Sequence, residues 1–485
     1  MAFDATGKHI HFLGIGGIGV SALAQLAVAR GYTVSGSDLH TSPDGNPAIQ
    51  RLLELGVTIY AGHRAENLDD TVSLVVATAA IGKDNPEIAE AHHRCGIRVV
   101  SRADYLGELM NEHTGPKIAV SGTHGKTTTT GMIGVMLMLA GTDPTVFVGG
   151  EIDQLGGNVR IGSKTGPFVA EACEAYDSFL SLKPDIAVVT NIEADHLDHY
   201  GDFAGVLTAF NRFIGGVSGS GSIIVCGDDA GAKGLLSTSS DAYTRNWVTY
   251  GVENGVVGAT SLTGIDEIAL GKNPGFTLVD KQGRHRVDLR VPGKHNVQNA
   301  IAAAAVGSLL GVPTAAIAKG LSQFSGATRR QEILGEVRVP GGSILIMDDY
   351  AHHPTEIEAT ISALRAAYPD RRLTVVFQPH LYSRTRDFLP EFARSLALAD
   401  ALIVTGIYAA REEPIPGVFA SEIARLAGEK NPELSALYVK NRQDVPLTLI
   451  ALSNPGDLTL FMGAGDIREQ GVQFVELVKR KSAIS

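Results

Sequence analysis

Short apolar runs rich in Val, Ile and Leu recur along the chain, and between them apolar residues fall three or four apart. The first pattern suits a strand buried on both faces and the second a helix that covers it. Their alternation predicts an α/β protein with parallel sheets. The elements form three blocks. In residues 1–112, strands are expected at His9–Leu13, Thr33–Ser35, Leu74–Ala77 and Arg98–Val100, and Asn111–Pro116 reads as the linker out of the block. In residues 113–325, they are expected at Lys117–Val120, Phe168–Ala170, Ile186–Thr190 and Ser222–Cys226. Val252–Val291 is rich in Gly, Thr, Val and Asp without helical period and predicts an antiparallel patch; Gly293–Leu310 then opens a long Ala-rich helix. In residues 326–485, strands are expected at Ser343–Met347, Leu373–Phe377, Ala401–Thr405 and Leu458–Phe461.

At roughly 150 residues per domain, 485 residues agree with three domains. Hydrophobic residues at 44% and charged residues at 19% exclude intrinsic disorder. Glycine is abundant, 56 against only 20 prolines, which points to tight turns and backbone packed close to ligands. The net charge of −11 makes the chain a poor partner for nucleic acid or an anionic membrane. Cys95, Cys173 and Cys226 lie far apart without CxxC spacing, as expected in a reducing compartment. The apolar stretches Met132–Ala140 and Ala300–Leu310 fall short of the ~20 residues that cross a bilayer. With no signal-like start, a cytoplasmic protein is expected.

His9–Asp38 reads as strand, glycine turn, helix and second strand ending in an acid. Gly14, Gly16 and Gly19, with Gly17 among them, match G-x-G-x-x-G, and Asp38 follows about twenty residues on. Such glycines let amide groups approach a diphosphate at the helix N-terminus, and Asp38 suits a ribose hydroxyl. NAD and a UDP-sugar offer the same geometry, so the motif leaves both open.

A second phosphate site lies between the strand at Lys117 and a helix. Gly122, Thr123, His124, Gly125, Lys126 and Thr127, followed by Thr128, form a shortened P-loop. Its amides would cradle phosphate oxygens, Lys126 would neutralise the terminal phosphates, and the Thr127 hydroxyl would ligate Mg2+. Glu174 and His196 fall just past strand ends, where α/β sheets hold ligands, and are the candidates to complete a metal site. Two nucleotide-type sites in one chain suggest ATP-driven chemistry on a nucleotide-linked substrate.

The blocks HFLGIGGIGVS with SGSD, SGTHGKTTTT, EACEAYDSFL, TNIEADHLDHYGDF, GKHNVQNA, DDYAHHPTEI, FQPHLYSRTRDF, EEPIPG and MGAGDI resemble, in order, those of the Mur ligase family. The resemblance spans nearly the whole chain and is closest to members that join L-alanine to UDP-N-acetylmuramate. It implies a three-domain Mur ligase architecture: a Rossmann-like UDP-substrate domain (1–112), a central P-loop ATPase domain (113–325) and a Rossmann-like amino-acid domain (326–485). It implies ATP and Mg2+ as cofactors and a place in peptidoglycan precursor synthesis, with the protein a monomer or weak homodimer. ATP would phosphorylate the lactyl carboxylate, and the amine of L-alanine would attack the acyl phosphate.

Carried over residue by residue, the resemblance makes Lys126, His196 and Arg384 catalytic and places Asn296 and Asn299 on the adenine. It assigns Arg330, weighed against Arg329, to the ATP phosphates and Asp349 to the ribose, and puts Tyr350, His352, His380 and Arg384 at the amino acid. Arg102 and, with lower rank, His63 and the TAAIGKDNPE segment belong near the UDP, and Glu151–Gly162 faces the muramoyl part. Many members carry Arg where this chain has Leu381, so one carboxylate contact is missing and Arg386 is the candidate to replace it. A family ligase that attaches a tripeptide, a nicotinamide oxidoreductase and a nucleotide-sensing module are the competing readings.

Overall fold

The computed structural model describes residues 8–42, 46–78, 81–82, 84–94, 96–238, 245–253, 255–258, 260–271, 273–410 and 412–484. Cys173 and Cys226 are free thiols, while Cys95 and residues 79, 80 and 83 of the TAAIGKDNPE segment lie outside the described residues. The chain forms two compact units. One comprises Met1–Asp266, Thr277–Val287 and Gln298–Phe324, the other Glu267–Phe276, Asp288–Val297 and Ser325–Ser485. No described helix is long and apolar enough to cross a membrane.

The first unit holds two large sheets. In one, five strands lie in the order Thr58–Ala61, Thr33–Asp38, His9–Leu13, Val72–Ala77, Arg98–Ser101. All pairs are parallel. Strand order reverses about the central His9–Leu13, and the crevice beyond its carboxyl end is where such sheets take ligands. The other sheet runs Gly255–Gly258, Asn246–Gly251, Ser222–Cys226, Ile186–Val189, Lys117–Ser121, Phe168–Glu171, Thr145–Ile152, Gly157–Arg160. Its interior is parallel and its two edge strands are antiparallel. Lys117–Ser121 therefore ends with a neighbour's carboxyl end on either side. The expected β patch contains a three-stranded sheet of Leu262–Ala269, Gly275–Asp280 and Gly283–Asp288. The Ala-rich helix spans Lys294–Leu309, and its residues Ala300 to Val306 are all fully buried, which small side chains permit on every face.

The two sheets of this unit are tied by specific polar contacts. Asn158 Nδ2 donates to the Ile18 carbonyl at 2.5 Å, Arg51 pairs with Glu151 at 3.3 Å, and Ser181 Oγ donates to Asp104 at 2.7 Å.

In the second unit six strands run Glu332–Val339, Gly342–Asp349, Leu458–Met462, Leu373–Phe377, Ala401–Thr405, Ser435–Val439. Only the Glu332–Val339 edge is antiparallel. Alternate residues feed two cores. Leu345, Met347, Val375, Phe377, Leu402 and Val404 pack under Ile357, Ile361 and Phe392. Ile344, Ile346, Val376 and Ile403 pack on Phe461, Leu449 and Phe474. A strand covered on both sides is apolar at most positions, which is why these runs are legible as strands.

Phe179, in the turn after Glu174, is fully buried; its ring stacks on Phe213 at 4.8 Å and meets Phe210 edge-on at 5.2 Å. Phe179→Ala is expected to cost about 3–5 kcal/mol, the usual range for an emptied aromatic site. A lower urea midpoint of the purified chain is the check.

Candidate active site

The glycine turn follows His9–Leu13 and leads into the helix Ile18–Ala29. Gly14 sits at φ 72° and donates, with Ile15, to the Ser37 carbonyl at 2.8 and 3.1 Å. Gly16 N–H donates to Asp38 at 2.9 Å. A side chain at Gly19 would fall 2.6 Å from the Arg102 guanidinium, so Arg102 lies directly over the turn. Gly17 starts the helix Ile18–Ala29 without a side-chain cap, leaving its first amides for an anion. Below, the buried Glu87 accepts from Ser37, Asn67 and His63 at 2.7, 2.7 and 3.0 Å, so His63 is anchored beside the turn.

The P-loop is shaped from the neighbouring strand. Thr123 N–H donates to the Asn191 carbonyl at 3.0 Å, and His124 N–H to Asn191 Oδ1 at 2.7 Å. Thr190 Oγ1 donates to the His124 carbonyl at 2.6 Å, and Thr123 Oγ1 accepts from Glu193 N–H at 2.9 Å. Gly122 and Gly125 hold φ values of 138° and 81°, and a Cβ on Gly125 would lie 2.7 Å from Asn299 Oδ1. The helix Lys126–Leu139 begins with no side-chain cap.

Lys126 Nζ is folded back over this loop, donating to the Gly122 and Thr123 carbonyls at 2.5 and 2.9 Å and to Glu174 at 3.0 Å. Burial opposes its charge, but Glu174, then Cys173 and Glu171, outweigh it and raise its pKa above the lysine range. Glu174, the acid singled out as metal ligand, is thus the counter-ion of Lys126. The carboxylate beside the Thr127 hydroxyl is Glu171, at 3.2 Å, which also accepts from Gly149 N–H at 2.7 Å. Sequence reasoning passed over Glu171. Its signal was the parallel register that sets it level with Val120, one residue before the end of the P-loop strand. Thr127 and Glu171 are hard oxygen donors side by side, a donor set that suits Mg2+. His196 adopts φ 53° and its amide bonds Asp195 at 2.8 Å, while Tyr200 in the same segment donates its hydroxyl to the Glu174 carbonyl.

Asn299 accepts from Thr129 Oγ1 at 3.1 Å and abuts Gly125, placing it against the P-loop. Asn296 donates to the Pro292 carbonyl at 2.7 Å, securing the start of its own helix.

In the second unit the remaining candidates converge at strand ends. Arg329 and Arg330 lie 4.9 and 5.2 Å from the Tyr350 ring centre. Arg329 is bound to Asp348 and the Gly463 carbonyl, whereas Arg330 reaches Glu356 at 3.4 Å. Asp349 spends its carboxylate on the Ala351 and Gln331 amides at 2.7 and 3.0 Å, and burial pushes its pKa up to about 6. The rings of Tyr350, His352 and His380 follow one another at 5.3 and 5.8 Å, and His380 stacks on Tyr408 at 5.7 Å. Burial lowers both histidines, and Arg384 lowers them further, His380 to about 4. Among the described residues, His380 Nδ1 has no hydrogen-bond partner. Arg386 pairs with its exposed neighbour Asp387 at 2.7 Å.

Three family models match the sequence: the Mur ligase family catalytic domain over residues 9–114, the Mur ligase middle domain over 120–307, and the Mur ligase glutamate ligase domain over 329–465. The chain belongs to the Mur ligase family. It is similar to the UDP-N-acetylmuramate–L-alanine ligase of Salinibacter ruber, 42% identical over 97% of this chain and 95% of that protein. The ligase of the same name from Acetivibrio thermocellus is 41% identical over 97% and 96%. Among solved Mur ligase structures, the Thermotoga maritima UDP-N-acetylmuramate–alanine ligase matches with TM-score 0.78 at 30% identity, covering 98% of this chain and 99% of that one. The Psychrobacter arcticus murein peptide ligase matches with TM-score 0.69 at 27% identity over 98% and 99%. The fold is the three-domain α/β architecture of Mur ligases.

The lowered histidines set a pH dependence. His380 has a folded pKa of about 4 against 6.5 ordinarily, so between those values the unfolded chain binds the proton and the folded one does not. Stability from this group is present above 6.5 and is lost as pH falls through the window. Asp349 acts oppositely: its stabilisation is present at low pH and lost as pH rises through about 6. The fall in thermal midpoint on acidification from about pH 6.5 to about pH 4.5 is expected to be smaller in His380→Gln than in the wild type, by scanning calorimetry.

Proposed function

We propose that the protein joins L-alanine to the lactyl carboxylate of UDP-N-acetylmuramate, converting ATP to ADP and phosphate, in peptidoglycan precursor synthesis. Near full-length likeness to ligases of that name carries this assignment. Residues 1–112 take the UDP substrate, 113–325 the ATP and 326–485 the amino acid.

A carboxylate is a poor electrophile, so one of its oxygens must first become a phosphate leaving group. The carboxylate attacks the γ-phosphorus and ADP leaves; the ammonium of L-alanine gives a proton to solvent, the free amine attacks the acyl carbon, and phosphate departs from the tetrahedral intermediate as the nitrogen loses its second proton. The first amides of the helix Lys126–Leu139 and Lys126 bind the phosphates, with the ammonium exchanging Glu174 for them. Thr127 and Glu171, with His196 the further candidate, would hold Mg2+, which supplies charge neutralisation between the phosphates. Asn299 and Asn296 recognise the adenine, and Arg330 and Asp349 serve the rest of the nucleotide. The glycine turn with Asp38 and Arg102 binds the UDP. The Arg384 fork holds the carboxylate of L-alanine in two parallel bonds, and Tyr350, His352 and His380 wall the subsite.

With ATP, Mg2+ and UDP-N-acetylmuramate present, phosphate release is expected to depend on added L-alanine, with a tripeptide giving none and NADH unconsumed. Lys126→Ala is expected to lower kcat about a hundredfold or more. Release that needs the tripeptide in place of L-alanine overturns the assignment.

A further inference from the structure

The turn that presents Arg384 is held in a conformation its residues resist. Leu381 stands at φ 69° and ψ 139°, a region that ordinarily belongs to glycine. Bonds on both sides keep it there. Leu381 N–H donates to the Tyr408 carbonyl at 2.9 Å, and Tyr408 N–H to the Pro379 carbonyl at 2.8 Å. The Leu381 carbonyl accepts from Thr385 N–H and Oγ1 at 3.1 and 2.8 Å. The next corner is the start of the short helix Tyr382–Asp387, whose N-cap residue Leu381 supplies no side-chain hydrogen bond.

Glu412 fills that corner from a distant segment. Its Oε2 accepts Ser383 N–H at 2.9 Å, and its Oε1 accepts the Ser383 hydroxyl. Burial opposes the charge of this carboxylate, but the bonds from Ser383 outweigh it and lower its pKa. Arg384 is the residue that follows. Because Leu381 brings no charge, the aim of a single guanidinium decides how the substrate carboxylate is held.

We propose that Glu412 is a positioning residue of the amino-acid subsite: by clamping Ser383 it fixes the strained turn and aims Arg384 at the substrate carboxylate. This rests on the role given to Arg384 above. Glu412 touches neither substrate nor reacting atoms; its effect passes through Ser383.

The test measures the three KM values separately, with thermal midpoints alongside. Glu412→Ala is expected to raise KM for L-alanine about ten- to a hundredfold, the worth of charge-assisted hydrogen bonds, with KM for ATP and UDP-N-acetylmuramate nearly unchanged. Glu412→Gln, which keeps one acceptor oxygen for Ser383 but neither the second nor the charge, recovers part of the loss. Should Glu412→Ala not fold, Ser383→Ala removes the hydroxyl bond alone and is expected to raise the same KM by a smaller factor. An unchanged KM for L-alanine, or three KM values that rise together, overturns the clamp. A wild-type protein whose phosphate release ignores L-alanine overturns the function itself, a separate outcome.

Discussion

A helix that is to receive phosphate must begin with its amides unspent, so the loop before it has to be shaped by something other than a cap. That constraint organises the first unit. The helices starting at Ile18 and Lys126 have no side-chain cap, and neither have those starting at Leu197 and Thr314, whereas those starting at Pro47, Pro86, Arg102 and Phe203 are capped by Asn46, Asn85, Ser101 and Asp202. The work of a cap is moved to the adjacent strand: Thr190 and Asn191 hold the P-loop, and the Ser37 carbonyl holds the glycine turn. Each supporting strand is parallel to the one that feeds the loop, so its carboxyl end arrives at the right level. The parallel sheets are thus a requirement of the two loops as well as a way of burying apolar surface.

The central strands were legible because burial on two faces leaves a run of apolar residues with polar ones only at its ends: Ser222–Cys226 and Ala401–Thr405 are buried throughout. Thr58–Ala61 and Ser435–Val439 were missed because they lie at sheet edges and are half exposed, so their sequences read as loops. Glu332–Val339 was missed for the same reason.

At the sites, sequence motifs located each loop but not the pairings around it. Glu171 and Glu174 belong to one short block, and which of them meets Thr127 depends on where the strand stops. Phe168–Glu171 ends on Glu171, which points at Thr127, and the turn that follows sends Glu174 to Lys126 instead. Glu412 was visible within a familiar block, yet its partner Ser383 is 29 positions away, and only the fold brings them together. A leucine with positive φ has no sequence signature, so the demanding backbone at Leu381 is visible only in the fold.

Lys126 at rest is already neutralised by Glu174 and clasped by two carbonyls of its own loop. An anion that takes Lys126 as its partner therefore enters by ion exchange. A singly charged species merely replaces one monovalent partner with another and gains little. A polyphosphate brings several charges for the one it displaces, so valence becomes a filter that keeps common small anions from occupying the cradle.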